Sequence, residues 1–245
     1  MSEIAVVGPI IGITTAPIAA ELVDRFGPRG IFVALAVTAL VPLAFSRHSG
    51  SDHERIVTPR AERVAGGRSR PAAGVRPILA LLGLMTVGGS SVFTFGAVIA
   101  ADRTTLSLSA ISLAYSANAL ASIPSARWSG RRGPAGAWIV GCGICAVVMG
   151  AATSGPLFVV AIAFWGFAFW MGTPGAFSLL AARSANPGER AGDAQAVMAA
   201  GRVVGPLAGG VLLDATSAGV LGVVGGVVVG AAGAGLVLVE RRGAA

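Results

Sequence analysis

The hydrophobicity of this chain is gathered into blocks of roughly 17 to 25 residues, and the short segments between them hold nearly all of its charge. A helix rises 1.5 Å per residue, so a block of that length crosses about 30 Å of hydrocarbon. Charged residues make up only 12% of the chain, about half the share of a soluble domain, and mean hydropathy is +0.79. The blocks are continuously apolar and do not alternate residue by residue, which excludes barrel strands and leaves helices as the spanning element. The expected fold is an all-α, polytopic membrane protein.

Eight spans can be read, at about 4–23, 30–45, 78–100, 106–123, 135–153, 157–182, 194–213 and 218–239. All eighteen basic residues are arginine. Fourteen of them follow the second, fourth, sixth and eighth spans, three (Arg25, Arg29 and Arg103) lie on the opposite side, and Arg202 falls inside the seventh span. The positive-inside rule then predicts cytoplasmic N- and C-termini. It also supports the count of eight, because adding or removing one span would scramble the sidedness of every later loop. The lysine-free, Ala/Gly/Val/Arg-rich usage points to a GC-rich bacterial genome, and hence to the inner membrane.

Between the second and third spans lies a polar stretch rich in Arg, Ser, Gly and acids. It reads as a cytoplasmic linker over residues 46–77, separating two helices within 1–45 from six helices within 78–245. The arginines lack aromatic interleaving, so topology explains the formal charge of +7 better than a nucleic-acid partner does. Cys142 and Cys145 form a C-x-x-C pair inside an apolar block, with no further Cys or His nearby, and read as small buried side chains. No catalytic residue, metal-ligand cluster, cofactor motif or phosphate-binding loop is expected, so the chain does not read as an enzyme or an ATP-driven pump.

Three motifs bear on family. Gly192, Gly201, Gly205, Pro206, Gly209 and Gly210 satisfy G-x8-G-x3-G-P-x2-G-G in the seventh span. A degenerate copy, Gly12, Ala16, Pro17 and Ala20, lies 189 residues earlier, proline to proline, and is followed by Asp24, Arg25, Phe26 and Gly27; Gly8, Pro9 and Gly12 offer a second alignment. Gly130, Arg131 and Arg132 match the end of a loop pattern G-x3-D-R-x-G-R-R, with Arg127 and Trp128 where its acid and first arginine belong. Together these resemble the major facilitator superfamily, whose transporters pair two six-helix bundles about a central substrate path.

The first motif is similar to the antiporter motif of the family's drug-proton antiporters, displaced here onto the helix equivalent to the eleventh. The resemblance implies helices 5–12 of a major facilitator fold, with about four helices missing upstream of Met1. It further implies gradient-coupled, alternating-access transport of a small organic solute, with efflux of a drug or metabolite favoured and protons as coupling ion. Two alternatives remain open: an inactive or regulatory membrane scaffold derived from a truncated transporter, and a short transporter of another family working as a dimer. If the chain is not truncated, an oligomer is expected.

Within the spans, Arg202 is the outstanding candidate for the substrate path, or else it snorkels to the cytoplasmic boundary. Asn118 and Tyr115, three apart on one helix face, offer hydrogen bonds to a substrate or to a neighbouring helix. Phe93, Phe95, Trp165 and Trp170 line an apolar cavity or anchor the chain at the membrane interface. Gly201, Gly205 and Gly209, spaced by four, form a smooth face for close helix packing beside the bend expected at Pro206. No acid falls at the midplane of any span.

Overall fold

A computed structural model describes residues 18–19, 21–27, 29–30, 33, 74–128, 133–184 and 186–242. They fall in two compact units, and every regular element among them is helical.

In the smaller unit, residues 21–26 are helical and Glu21 pairs with Arg25 one turn later, at 2.6 Å. The pair is exposed and adds little stability. Gly27 closes this turn in the left-handed conformation, at φ +67°, with its N–H bonded to Val23 O. Gly12, Ala16, Pro17, Ala20 and the loop residues Gly130, Arg131 and Arg132 lie outside the described residues.

The larger unit holds α1 (Val75–Thr94), α2 (Gly96–Arg103), α3 (Leu108–Trp128), α4 (Ala135–Ala151), α5 (Gly155–Ala182), α6 (Pro187–Ala215) and α7 (Ala218–Arg242). The third apolar block is therefore two helices broken at Phe95. Tyr115 on α3 reaches across and donates its hydroxyl to Phe93 O at 3.1 Å, and its ring meets the Phe93 ring edge-on. Gly96 leaves the space that this hydroxyl occupies.

Helices α1, α5, α6 and α7 are long and apolar enough to cross a membrane, and α4 is a shorter apolar helix of 17 residues. Helix α3 has the length but is dotted with serines, several of which hydrogen-bond back along their own helix: Ser122 Oγ to Ala119 O and Ser125 Oγ to Ser122 O, both at 2.6 Å. Such local bonds keep hydroxyls satisfied in a helix surrounded by apolar material.

Small residues decide which helices meet. A Cβ built on Gly136 would come within 2.5 Å of Gly233 O, one on Gly143 within 2.5 Å of Gly230 N, and one on Gly150 within 2.6 Å of Gly219 O. Three glycines seven apart on α4 thus run antiparallel along the glycines of α7. Backbone approach of this kind gives dispersion contact in a medium that offers no hydrophobic drive between helices. A second seam joins α6 to α1 in parallel: Gly201 lies against Thr86, Gly205 against Ser90, and Gly209 against Ser91.

The helix ends are tied by polar contacts. Glu240 at the end of α7 accepts the N–H groups of Ala135 and Gly136 at the start of α4, at 2.7 and 3.3 Å, placing a carboxylate on two orphan donors and on the positive end of a helix dipole. At the same end, Arg183 donates to Val239 O at 2.9 Å. Opposite, Arg103 closing α2 reaches Ala151 O at the end of α4. The arginine at the foot of α6, Arg190, is buried, with Asp193 and Glu189 as ion-pair partners.

Candidate functional site: a cavity at mid-height of the bundle

A cavity of about 430 Å³ lies inside the larger unit. Helix α1 lines it with Met85, Thr86, Gly89, Ser90, Phe93 and Thr94, and α5 with Trp165, Gly166, Phe169 and Trp170. Asn118 of α3, Cys142 of α4, Met198 and Arg202 of α6, and Val229 of α7 complete the wall. Met85 is the eleventh of the 20 residues of α1, and Arg202 is the sixteenth of the 29 of α6, so the cavity sits near half-height. Its size and its mainly apolar lining with a few polar groups suit a small organic molecule.

The polar wall is built by helix packing. Gly166 lets α5 approach α3 so closely that a Cβ there would overlap Asn118 O. At that crossing Asn118 Nδ2 donates to Ile162 O at 2.6 Å, which commits one amide hydrogen. Ser90 Oγ lies 2.6 Å from Thr86 O on its own helix and 3.0 Å from Gly201 O across the α1–α6 seam. The Thr86 hydroxyl donates to Leu82 O at 2.7 Å.

The aromatic wall centres on Trp165, which is 5% exposed and tilts against Phe93 with ring centroids 6.3 Å apart. Phe169 and Trp170 meet edge-on at 5.9 Å, and both rings border the cavity, while Trp170 is also exposed on its outer side.

Arg202 differs from every other lining residue in carrying charge. In the apolar stretch read from sequence it lies a third of the way in, but α6 starts seven residues earlier, at Pro187, which puts Arg202 near the middle of the helix. About 13 Å of helical rise separates it from Asp193, the last charged residue before the apolar stretch, and Arg202 is exposed where it meets the cavity. A guanidinium facing lipid at that depth would cost roughly 2.5–3.5 kcal/mol, so its place on a cavity wall is the physically favoured one. Among the described residues it has no hydrogen-bond or ion-pair partner, in contrast to Arg190 twelve residues earlier.

Of the six residues expected on a substrate path, the structure gathers Arg202, Asn118, Phe93, Trp165 and Trp170 around one cavity. Tyr115 stands a layer behind, bonded to Phe93 O, and does not line it. Of the glycine motif, Gly201, Gly205 and Gly209 face α1, and Gly210 makes an ordinary contact with Phe95. Gly192 corrects the expectation of packing: a Cβ there would meet nothing within 4 Å, because it lies in the exposed first turns of α6 below the seam. Pro206 is within α6.

Lining residues that sequence reasoning missed are Met85, Thr86, Gly89, Ser90, Thr94, Cys142, Gly166, Phe169, Met198 and Val229. Met198 was within reach, being four residues before Arg202 and so on the same helix face. The buried Cys142 was read as a small core side chain, and it is one; its wall position depends on which way α4 faces, which periodicity does not encode.

Compared with known families, residues 1–202 match the sequence profile of the Major Facilitator Superfamily. A comparison with curated proteins found no match. The profile covers far more than half of the chain, which sets aside a short transporter of an unrelated family. This chain belongs to the Major Facilitator Superfamily, and is a multi-pass, all-helical membrane protein of a family that moves small solutes across membranes.

Proposed function

We propose that the chain exports a small organic solute, a drug or metabolite, by gradient-coupled alternating access, and that the mid-height cavity receives the solute. The observation that carries this reading is the convergence of Arg202, Asn118, Phe93, Trp165 and Trp170, from four helices, on one cavity of substrate size. Groups this polar are costly at such depth, and a solute path is the setting in which transporters retain them. In this reading Arg202 and Asn118 orient the solute, and the aromatic rings hold its apolar part.

The α1–α6 glycine seam supports movement: two smooth helix faces in backbone contact can shift with little side-chain interlocking. Protons are the proposed counter-ion. Among the described residues no acid lines the cavity, so the coupling carboxylate is assigned to a helix outside them. The six spans read within 78–245, the first of them α1 and α2 together, are assigned to one bundle, residues 1–45 to the last two helices of another, and 46–77 to the linker between them. The arginine excess puts both termini in the cytoplasm of a bacterial cell, with the inner membrane as host.

The test is flux through the purified chain in proteoliposomes under an imposed pH gradient, using a panel of labelled organic anions, cations and neutral solutes. The reading expects saturable movement of at least one solute that collapses when the gradient is dissipated. Absence of flux for the whole panel would favour a membrane scaffold.

A further inference from the structure

The charge pattern of the cavity narrows the solute class. Among the described residues Arg202 is the one charged residue on its wall, and no carboxylate joins it. The acids of the described bundle stand at helix ends: Asp102 closes α2, Glu189 and Asp193 open α6, Asp214 ends α6, and Glu240 ends α7. Along α6, about 13 Å of helical rise separates Arg202 from Asp193 and about 18 Å separates it from Asp214. Arg190 shows what a settled buried arginine looks like in this fold, since two acids accompany it. Arg202 has no such company among the described residues.

Resting on the transporter reading of this cavity, we infer that its substrate is an organic monoanion, an aromatic or aliphatic body bearing one carboxylate-like head, with the head received by Arg202. The guanidinium presents a planar fork of donors that matches a carboxylate bidentately. The other polar groups on the wall are largely engaged: Asn118 has one amide hydrogen on Ile162 O, and the hydroxyls of Ser90 and Thr86 lie on backbone carbonyls. Trp165 and Phe93, their rings inclined at 42°, offer the body an apolar wall. A cationic solute would meet the uncompensated like charge of Arg202, and a neutral one would leave its guanidinium unpaired.

The test compares three ligands with one ring system and different heads: 2-naphthoate, 2-naphthylmethylammonium and 2-naphthylmethanol, bound to the full chain in lipid nanodiscs and measured by equilibrium dialysis. The expected result is binding of 2-naphthoate at least about tenfold tighter than either analogue, the scale of one charge-assisted pair. Arg202→Gln should remove that preference and Arg202→Lys should keep part of it. Equal binding of the three heads, no saturable binding of any, or a preference that survives Arg202→Gln would overturn the inference. So would loss of the folded state in both variants, seen by thermal melting, since that identifies Arg202 as one half of an internal ion pair.

Flux measured on the same preparation separates this inference from the reading beneath it. Arg202-dependent binding of 2-naphthoate without flux contradicts transport and leaves the anion site standing. Flux of the ammonium or alcohol in preference to 2-naphthoate contradicts the anion class and leaves transport standing.

Discussion

Gly205 on α6 and Ser90 on α1 approach so closely that a single added methyl group at the glycine would occupy the position of the serine hydroxyl. Val87 O would also lie 2.5 Å from it, so yielding by the serine alone cannot relieve the overlap. Gly205→Ala should therefore lower stability by about 1–3 kcal/mol, the usual cost of overpacking, and adding Ser90→Ala should recover only part of it. Thermal melting of the single and double variants in detergent checks both expectations. Gly192→Ala is the internal control: with open space around it, it should be neutral or gain up to about 1 kcal/mol of helix propensity.

The α4–α7 seam should be less tolerant still, because its neighbours are backbone on both sides. Gly143→Val places atoms against Gly230 Cα and Gly226 O, neither of which can rotate away. We expect this variant to fail to give a monodisperse folded species by size-exclusion chromatography. The same substitution at Gly188, which has nothing within 4 Å, should leave the elution profile unchanged.

Glu240 carries a different kind of helix contact, a carboxylate on the first N–H groups of α4. Glu240→Gln keeps the shape and removes the charge. It should cost about 1–2 kcal/mol, seen as a lower melting temperature, with ligand binding at the distant cavity unaltered.

Tyr115→Phe tests the break between α1 and α2. The variant keeps the edge-on ring contact with Phe93 and deletes the bond to Phe93 O, which should cost about 0.5–1.5 kcal/mol in thermal stability. Because Phe93 lines the cavity and Tyr115 does not, binding of a cavity ligand should weaken only modestly, and far less than in Phe93→Ala.

Helix positions were readable from sequence because membrane spans are set by length and hydrophobicity, which a single chain displays directly. The block predicted at 218–239 is α7, Ala218–Arg242, and the one at 135–153 is α4, Ala135–Ala151. The break at Phe95 was not readable: no proline marks it, and the tyrosine that holds it comes from another helix. Arg190 was counted as a loop arginine, yet α6 begins before it and buries it beside two acids. Gly201, Gly205 and Gly209 announce a seam through their spacing of four, whereas the glycines of α4 are seven apart and gain meaning only from the backbone of α7 against them. Five of six path candidates reach the cavity because each is an unusual residue at mid-span. The ordinary lining residues, such as Met85 and Thr86, are set only by how the helices rotate.

The central claim is that this cavity is where solute is held during transport, and Gly89 offers the most direct way to test it. Gly89 lines the cavity, and a Cβ there makes ordinary contacts with Trp165 at 3.6 Å and Val229 at 4.0 Å, so a larger side chain grows into the empty space. The measurement is gradient-driven solute flux in proteoliposomes for the wild-type chain and Gly89→Leu, alongside their melting temperatures. The account predicts saturable flux in the wild type and its loss in a variant that melts normally. Unchanged flux through well-folded Gly89→Leu would place the solute elsewhere and contradict it.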